Sequence, residues 1–334
     1  MTKTSFFVRR ARTIRITGLV SIAMLAACEA SSALVPDMTA TISKLVGLKF
    51  LRGGNTGAAK QAAEWRTSRP GDAALMDQLA QQPVAKWVNE WVPLSEVSRT
   101  VASAAATGAT PVFVAYNIPN RDLGSYSAGG AENAAAYRKW IRDFAAGLGG
   151  KKSIVVLEPD AVPQTAKMSA AGREERLALL RDAIQVLKAA NALVYLDAGN
   201  ARWMSADAAA AALKSAGLDA ADGFSLNVSN YISTPVSIAY GEQISRRTGG
   251  KHFIIDTSRN GAGGTSDGEW CNPPGQSLGT EPTTQTNHSL VDALLWIKVP
   301  GESDGTCNGG PRAGAWFGEY ALGLARQATL LASR

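Results

Sequence analysis

The chain has 334 residues, 46% of them hydrophobic and 19% charged, an ordinary globular composition long enough to bury a large core. Its formal charge is +6, but Lys3, Arg9, Arg10, Arg12 and Arg15 all lie before residue 28, in a stretch without Asp or Glu. The rest is close to neutral, which excludes the electrostatic footprint of a nucleic-acid binder.

In chain order, residues 1–28 read as an export leader. A basic region runs to Arg15, and the apolar stretch Ile16–Ala27 is too short to cross a bilayer comfortably. It ends in Leu25-Ala26-Ala27-Cys28, the form of a bacterial lipobox, which makes Cys28 a candidate for lipidation at the mature N-terminus. The alternative is an ordinary signal peptide whose Cys is removed or left free. On either reading the protein is exported to the cell envelope or beyond, with a lipid anchor as its one membrane contact. Residues 29–45 are small and polar and read as a tether, and residues 46–334 form one domain without internal repeats.

Within that domain, short apolar runs alternate with stretches of helical spacing. The runs are Ala85–Val88, Pro111–Tyr116, Ser153–Leu157, Leu193–Leu196, Gly223–Val228, His252–Ile255 and Ala293–Val299. Most are near-continuous Val, Ile, Leu or Phe, as in strands buried on both faces. The helical stretches are Ala131–Leu148, Gly172–Ala190, Ala206–Ala216, Val236–Thr248 and Ala313–Ala332. This alternation predicts a parallel sheet closed or nearly closed into a barrel. Acids follow the runs: Asp122, Glu158 and Asp160, Asp197, Asp256, then Glu302 and Asp304. Each alone reads as a helix cap. Repeated at successive strand ends, they converge on the rim where α/β barrels build active sites.

Elimination narrows the chemistry. Only two histidines are present, His252 and His288, with no HExxH, Cys/His cluster or GxSxG, so no zinc centre or serine triad is expected. No phosphate-binding loop appears. The expectation is therefore no metal and no cofactor. With Cys28 in the leader, Cys271 and Cys307 are left to form one disulfide in an oxidising compartment, the alternative being two free thiols. Eight tryptophans stand against eight phenylalanines. Trp87, Trp203 and Trp270 are candidates for stacking on sugar rings, whereas Trp296, inside an apolar run, reads as core. Carboxylates with exposed indoles point to glycoside hydrolysis.

The stretches Val114–Asp122, Leu157–Asp160, Tyr195–Gly199, Asn227–Tyr231, Ile255–Gly261, Trp270–Pro273 and Trp296–Gly305, in that order, carry a pattern that resembles glycoside hydrolase family 6, the family B cellulases. The resemblance covers residue 80 to the C-terminus. It implies a distorted seven-stranded parallel β/α barrel and an inverting mechanism, with its two carboxyls about 6.5–9.5 Å apart. It implies Asp160 as general acid, and Asp122 beside it, raising its pKa and holding the attacking water. Asp304 becomes the candidate base, directly or through a water chain. Tyr116 presses on the distorted sugar, and Asp197, Asn230, Lys298 and Glu302 bind hydroxyls. The substrate implied is a β-1,4-glucan or cello-oligosaccharide, hydrolysed by a monomer.

The chain also departs from the family pattern. Leu123 stands where a Cys usually follows the aspartate, and residues 165–168 lack its partner, so a staple of the loop Leu123–Gly130 is missing. Asn200 replaces a frequent His and Ala128 a common Ser. The segments after Gly261 and after Asp304 are short, so an open cleft and internal cutting are expected, preferably of soluble or amorphous glucan. The alternatives are a cellobiohydrolase acting from chain ends, a hydrolase of another β-glucan, and a surface glucan-binding protein of weak activity.

Overall fold

The computed structural model describes residues 43–333. The leader, Cys28 and most of the tether lie outside the described residues. Seven strands form one parallel sheet in sequential order: β1 (Lys86–Val88), β2 (Val112–Ala115), β3 (Ser153–Leu157), β4 (Ala192–Asp197), β5 (Gly223–Leu226), β6 (His252–Asp256) and β7 (Val291–Leu295). The helices are α1 (Thr56–Trp65), α2 (Pro70–Gln81), α3 (Ser95–Ala106), α4 (Ala134–Leu148), the short α5 (Ala161–Gln164), α6 (Ala170–Ala189), α7 (Ala206–Ser215), α8 (Thr234–Arg247) and α9 (Gly318–Ala332).

Strict alternation along the strands makes the sheet curl. Val112 and Val114, Ile154 and Val156, Leu193 and Tyr195 pack into one inner cluster with Tyr116, Ile254 and Leu295. Their neighbours Phe113, Val155, Val194, Leu196 and Phe253 face outward, into a second cluster with α3, α4, α6, α7 and α8. A sheet apolar on both faces needs cover on both, and curling supplies the inner one. Side-chain caps start the outer helices: Asn133 accepts from Ala136 N, Ser169 from Gly172 N and Ser205 from Ala208 N.

β1 and β7 do not pair as a ladder. Ala85 N donates to Trp296 O at 3.0 Å, the Trp87 indole donates to Ile297 O at 2.8 Å, and α1, α2 and α9 cover the seam. Trp296 is buried in this third cluster, as a core residue. The predicted last run Ala293–Val299 begins earlier as a strand. Residues 296–299 lie outside the strand, and Asp256 captures the amides of Ile297 and Lys298, as described below.

The domain also starts before residue 46. Leu45 is fully buried in the inner cluster, and Lys44 pairs with Asp222 at 2.7 Å. The tether therefore ends before these residues. Leu45→Ala is expected to cost about 2–5 kcal/mol, read as a lower guanidinium unfolding midpoint. An unchanged midpoint would remove Leu45 from the core.

Candidate active site

The C-terminal ends of the strands carry two sets of carboxylates with different work. Glu158, Asp197 and Asp256 stand at or just past strand ends and are fully buried. Each accepts main-chain N–H groups of the surrounding loops. Glu158 takes Asn117 N and Ile118 N at 2.9–3.0 Å. Asp197 takes Asp160 N at 2.9 Å and Gly199 N at 3.1 Å, with Ser225 Oγ at 3.2 Å on its other oxygen. Asp256 takes Ser229 N, Ser258 N, Ile297 N and Lys298 N at 2.9–3.2 Å. Burial pushes the Glu158 carboxyl up to about 7 against those donors, and raises Asp197 and Asp256 as well. The sequence resemblance gave Asp197 a sugar hydroxyl. In the structure its oxygens are occupied by the protein, and its evident contact is with the backbone of Asp160.

Asp160, Asp122 and Tyr116 form one bank. Asp160 has left-handed backbone at φ 69°, Asp122 at 57° and Leu123 at 46°, conformations that non-glycine residues hold only under tertiary constraint. Burial drives the Asp160 carboxyl well above the usual carboxylate range. The negative charges of Asp197 and Asp122 add to this, and Arg176 opposes it. Asp122 accepts from Ser127 N at 2.8 Å, and the Gln164 amide lies 3.5 Å from its other oxygen. Burial raises Asp122 too. Arg176 orients the bank by donating to Gln164, Pro119 O and Asn120 O. Tyr116 is buried under the Trp87 edge, ring centroids 5.1 Å apart.

Asp304 forms the other bank, and its surroundings are opposite in sign. Its Oδ2 accepts from Arg259 at 2.8 Å, Tyr231 OH at 3.0 Å and Asn272 N at 3.1 Å, and Lys298 Nζ stands 3.8 Å from Oδ1. Burial alone would raise this carboxyl, but the Arg259 and Lys298 charges hold it below the usual range. Asn272 also takes Asp304 N on its side chain, at 2.8 Å. The Cys271–Cys307 disulfide joins the segments on either side. From the sequence alone, Arg259, Tyr231 and Asn272 receive no role. They lie in stretches that carry the family resemblance, beside Asp256, Asn230 and Cys271.

One contact ties the banks together. Tyr126, four positions after Asp122, packs 5.9 Å from the Trp270 ring and lies so close over Gly305 that a Cβ there would meet its ring. Trp203 and Trp270 are exposed at 47% and 45%, as stacking surfaces require, whereas Trp87 is half-buried. Asn230 donates to Val228 O, and Lys298 Nζ to Ser303 O at 3.4 Å. Glu302 is half-buried with a carboxylate that accepts no hydrogen bond from any described residue. Among the described residues, no group of three or more His, Cys, Asp or Glu side chains is arranged to hold a metal ion.

One carboxyl pushed above its usual pKa, another held below it and indoles left bare on the same rim are what a glycoside hydrolase needs to protonate a leaving oxygen and grip a sugar chain. Residues 50–328 match the family described as Glycosyl hydrolases family 6, and the chain belongs to that family. It is 47% identical over 268 residues to Endoglucanase A of Cellulomonas fimi, covering 79% of this chain and 58% of that protein. It is 42% identical over 275 residues to Endoglucanase 1 of Streptomyces halstedii, covering 78% and 84%. Relatives named as cellobiohydrolases or an exoglucanase match at 28–32%. The solved endoglucanase Cel6 of Mycobacterium tuberculosis, in complex with a methyl-cellobiosyl thio-cellobioside, is 44% identical. It superposes with a TM-score of 0.80, over 85% of this chain and 98% of that one.

Arg259→Met is expected to destabilise the fold by about 3–5 kcal/mol at neutral pH, because it leaves Asp304 buried without its main countercharge. In the wild type the depressed folded pKa of Asp304 contributes stability above the ordinary carboxylate pKa, and loses it as pH falls through the folded value. The difference between variant and wild type should therefore narrow in acid. Urea unfolding at several pH values checks both statements, and a pH-independent difference contradicts the ion pair.

Proposed function

We propose that the protein hydrolyses internal β-1,4-glucosidic bonds of cellulose-type glucans with inversion at the anomeric carbon. The observation that carries this reading is the opposite tuning of Asp160 and Asp304 on one rim. Asp160 keeps a proton near neutrality and delivers it to the glycosidic oxygen as the bond breaks. Asp122 supports that protonation by its charge and, beside Tyr116, steers the attacking water. Asp304, ionised in its cationic cage, takes the water's proton directly or through further water. Trp87, Trp203 and Trp270 stack on glucosyl rings, and Asn230, Lys298 and Glu302 bind hydroxyls. Asp197 acts through the backbone of Asp160.

Internal rather than chain-end cutting is supported by the short segments after Gly261 and Asp304, and by higher identity to proteins named endoglucanases than to those named cellobiohydrolases. Export as a monomer, anchored through Cys28 or released, is part of the same proposal. It is supported by the leader-like residues 1–28 and by a disulfide that an oxidising compartment sustains.

Asp160→Ala should lower reducing-sugar release from carboxymethylcellulose by about 10²–10⁴-fold while retaining cello-oligosaccharide binding. Cutting at the wild-type rate would remove Asp160 from the acid role. Early products from cellohexaose, followed by proton NMR, should appear as the α-anomer, and fresh β-anomer excludes inversion. In Asp122→Asn, a negative charge that disfavours ionised Asp160 is gone, so the Asp160 pKa falls. The basic limb of the kcat profile should then move to lower pH. A limb that stays in place means Asp122 does not act on Asp160 by charge.

A further inference from the structure

Beyond the residues already assigned, a cavity of about 300 Å³ opens between α1 and the segment that follows β7. This is the lower end of the range for ligand pockets. Its walls include Val299 and Glu302, on the same stretch of chain that carries Lys298 and Asp304, so it adjoins the rim. Opposite them stand Thr56, Lys60, Gln61 and Glu64 of α1, with Trp316 at the side.

The lining is arranged for a neutral polyhydroxy ligand. Trp316 packs flat against α1 because Gly57 and Gly301 have no side chain there, and a Cβ on either would collide with its ring. The ring remains partly exposed and offers an apolar face to C–H groups. Its indole N–H donates to Gln61 Oε1 at 3.1 Å, and Gln61 Nε2 donates to Glu64 Oε2 at 2.9 Å, so the amide is held in one orientation. Lys60 is exposed and has no acidic partner among the described residues. The Glu302 carboxylate has acceptors to spare, and burial raises its pKa despite nearby Lys298 and Arg259. Two carboxylates face one lysine, which disfavours a phosphate or other anion. Acceptors, donors and an aromatic face together match the hydroxyls and ring of a pyranose.

We propose that this cavity is a further glucosyl subsite, extending the cleft past Glu302 onto the first turns of α1. It rests on the glucan reading of the adjoining site. A chain long enough to fill it gains the hydrogen bonds of Lys60 and Glu64, and a short chain does not. The test compares kcat/KM for cellohexaose with that for cellotetraose. In the Lys60→Ala/Glu64→Ala variant both changes lie on the exposed face of α1, where substitutions rarely unsettle a fold. The hexaose-to-tetraose ratio should fall about tenfold for two lost hydrogen bonds. Thr56→Trp, which fills the cavity while leaving Lys60 and Glu64 in place, should lower the same ratio. If wild type cleaves both substrates and neither variant changes the ratio, the subsite is overturned and the glucan reading stands. If wild type cleaves neither, the glucan reading fails and the subsite falls with it.

Discussion

The site depends on buried carboxylates that accept main-chain N–H groups from neighbouring loops. A parallel strand ends with amides that have no further ladder partner, and the loops beyond must satisfy them. Glu158 holds the turn after β2, Asp197 holds the turn after β3, and Asp256 holds the loops after β5 and β7. Each costs desolvation, seen in raised pKa values, and each is offset by two to four short donors. Removing one would free a loop and leave its buried N–H groups unpaired. The groups proposed to react sit on these held loops, one to a few residues away. Asp160 follows Glu158 by two residues, and its amide is bound to Asp197.

That scaffold lets two aspartates differ in charge state within a single rim. Around Asp160, Asp197 and Asp122 supply only negative potential, with Arg176 engaged elsewhere by backbone carbonyls. Around Asp304, Arg259 and Lys298 supply positive potential, and Tyr231 and Asn272 supply donors. The same side chain is therefore pushed above its ordinary pKa in one place and held below it in the other. The acid and base roles proposed for them rest on surroundings, not on residue type.

Much of this was legible in the sequence, for reasons visible in particular residues. The seven strands read well because they are buried on both faces, so the run 112–115 or 154–157 is apolar without interruption. α4 and α6 read well because large residues mark one face. α1 did not, since its buried positions are Ala58 and Ala62, and in α2 and α3 Ala73, Ala80 and Ala104 dilute the stripe that Met76, Leu79, Val97 and Val101 would mark. Alanine on both faces gives little contrast. The disulfide followed from cysteine count and matches the structure. Counting strand-end acids found the rim but merged two roles, because sequence cannot tell an acid facing substrate from one facing amides. The cage of Asp304 was invisible for a related reason, since Arg259, Tyr231 and Asn272 converge only in three dimensions.

The missing staple beside Asp122 shows how a noncovalent tie can occupy the place of a covalent one. Leu123 stands where the family carries Cys, yet the loop it begins is anchored just before it. Arg121 is buried at 1% exposure and donates to Glu90, Tyr116 O and Ser127 O, and its guanidinium lies 4.5 Å from the centre of the Tyr116 ring. Glu90 in turn accepts from Gly130 N, so both ends of the loop meet one ion pair. A buried bidentate guanidinium fixes direction as well as distance. The two banks are thus held differently, with Asp304 beside a disulfide and Asp122 beside an ion pair. Tyr126, against Trp270 and over Gly305, is where the arm held by charge rests on the bank held by a bond. The contact between the two banks falls at that ring, and Arg121 anchors the same loop beside Asp122.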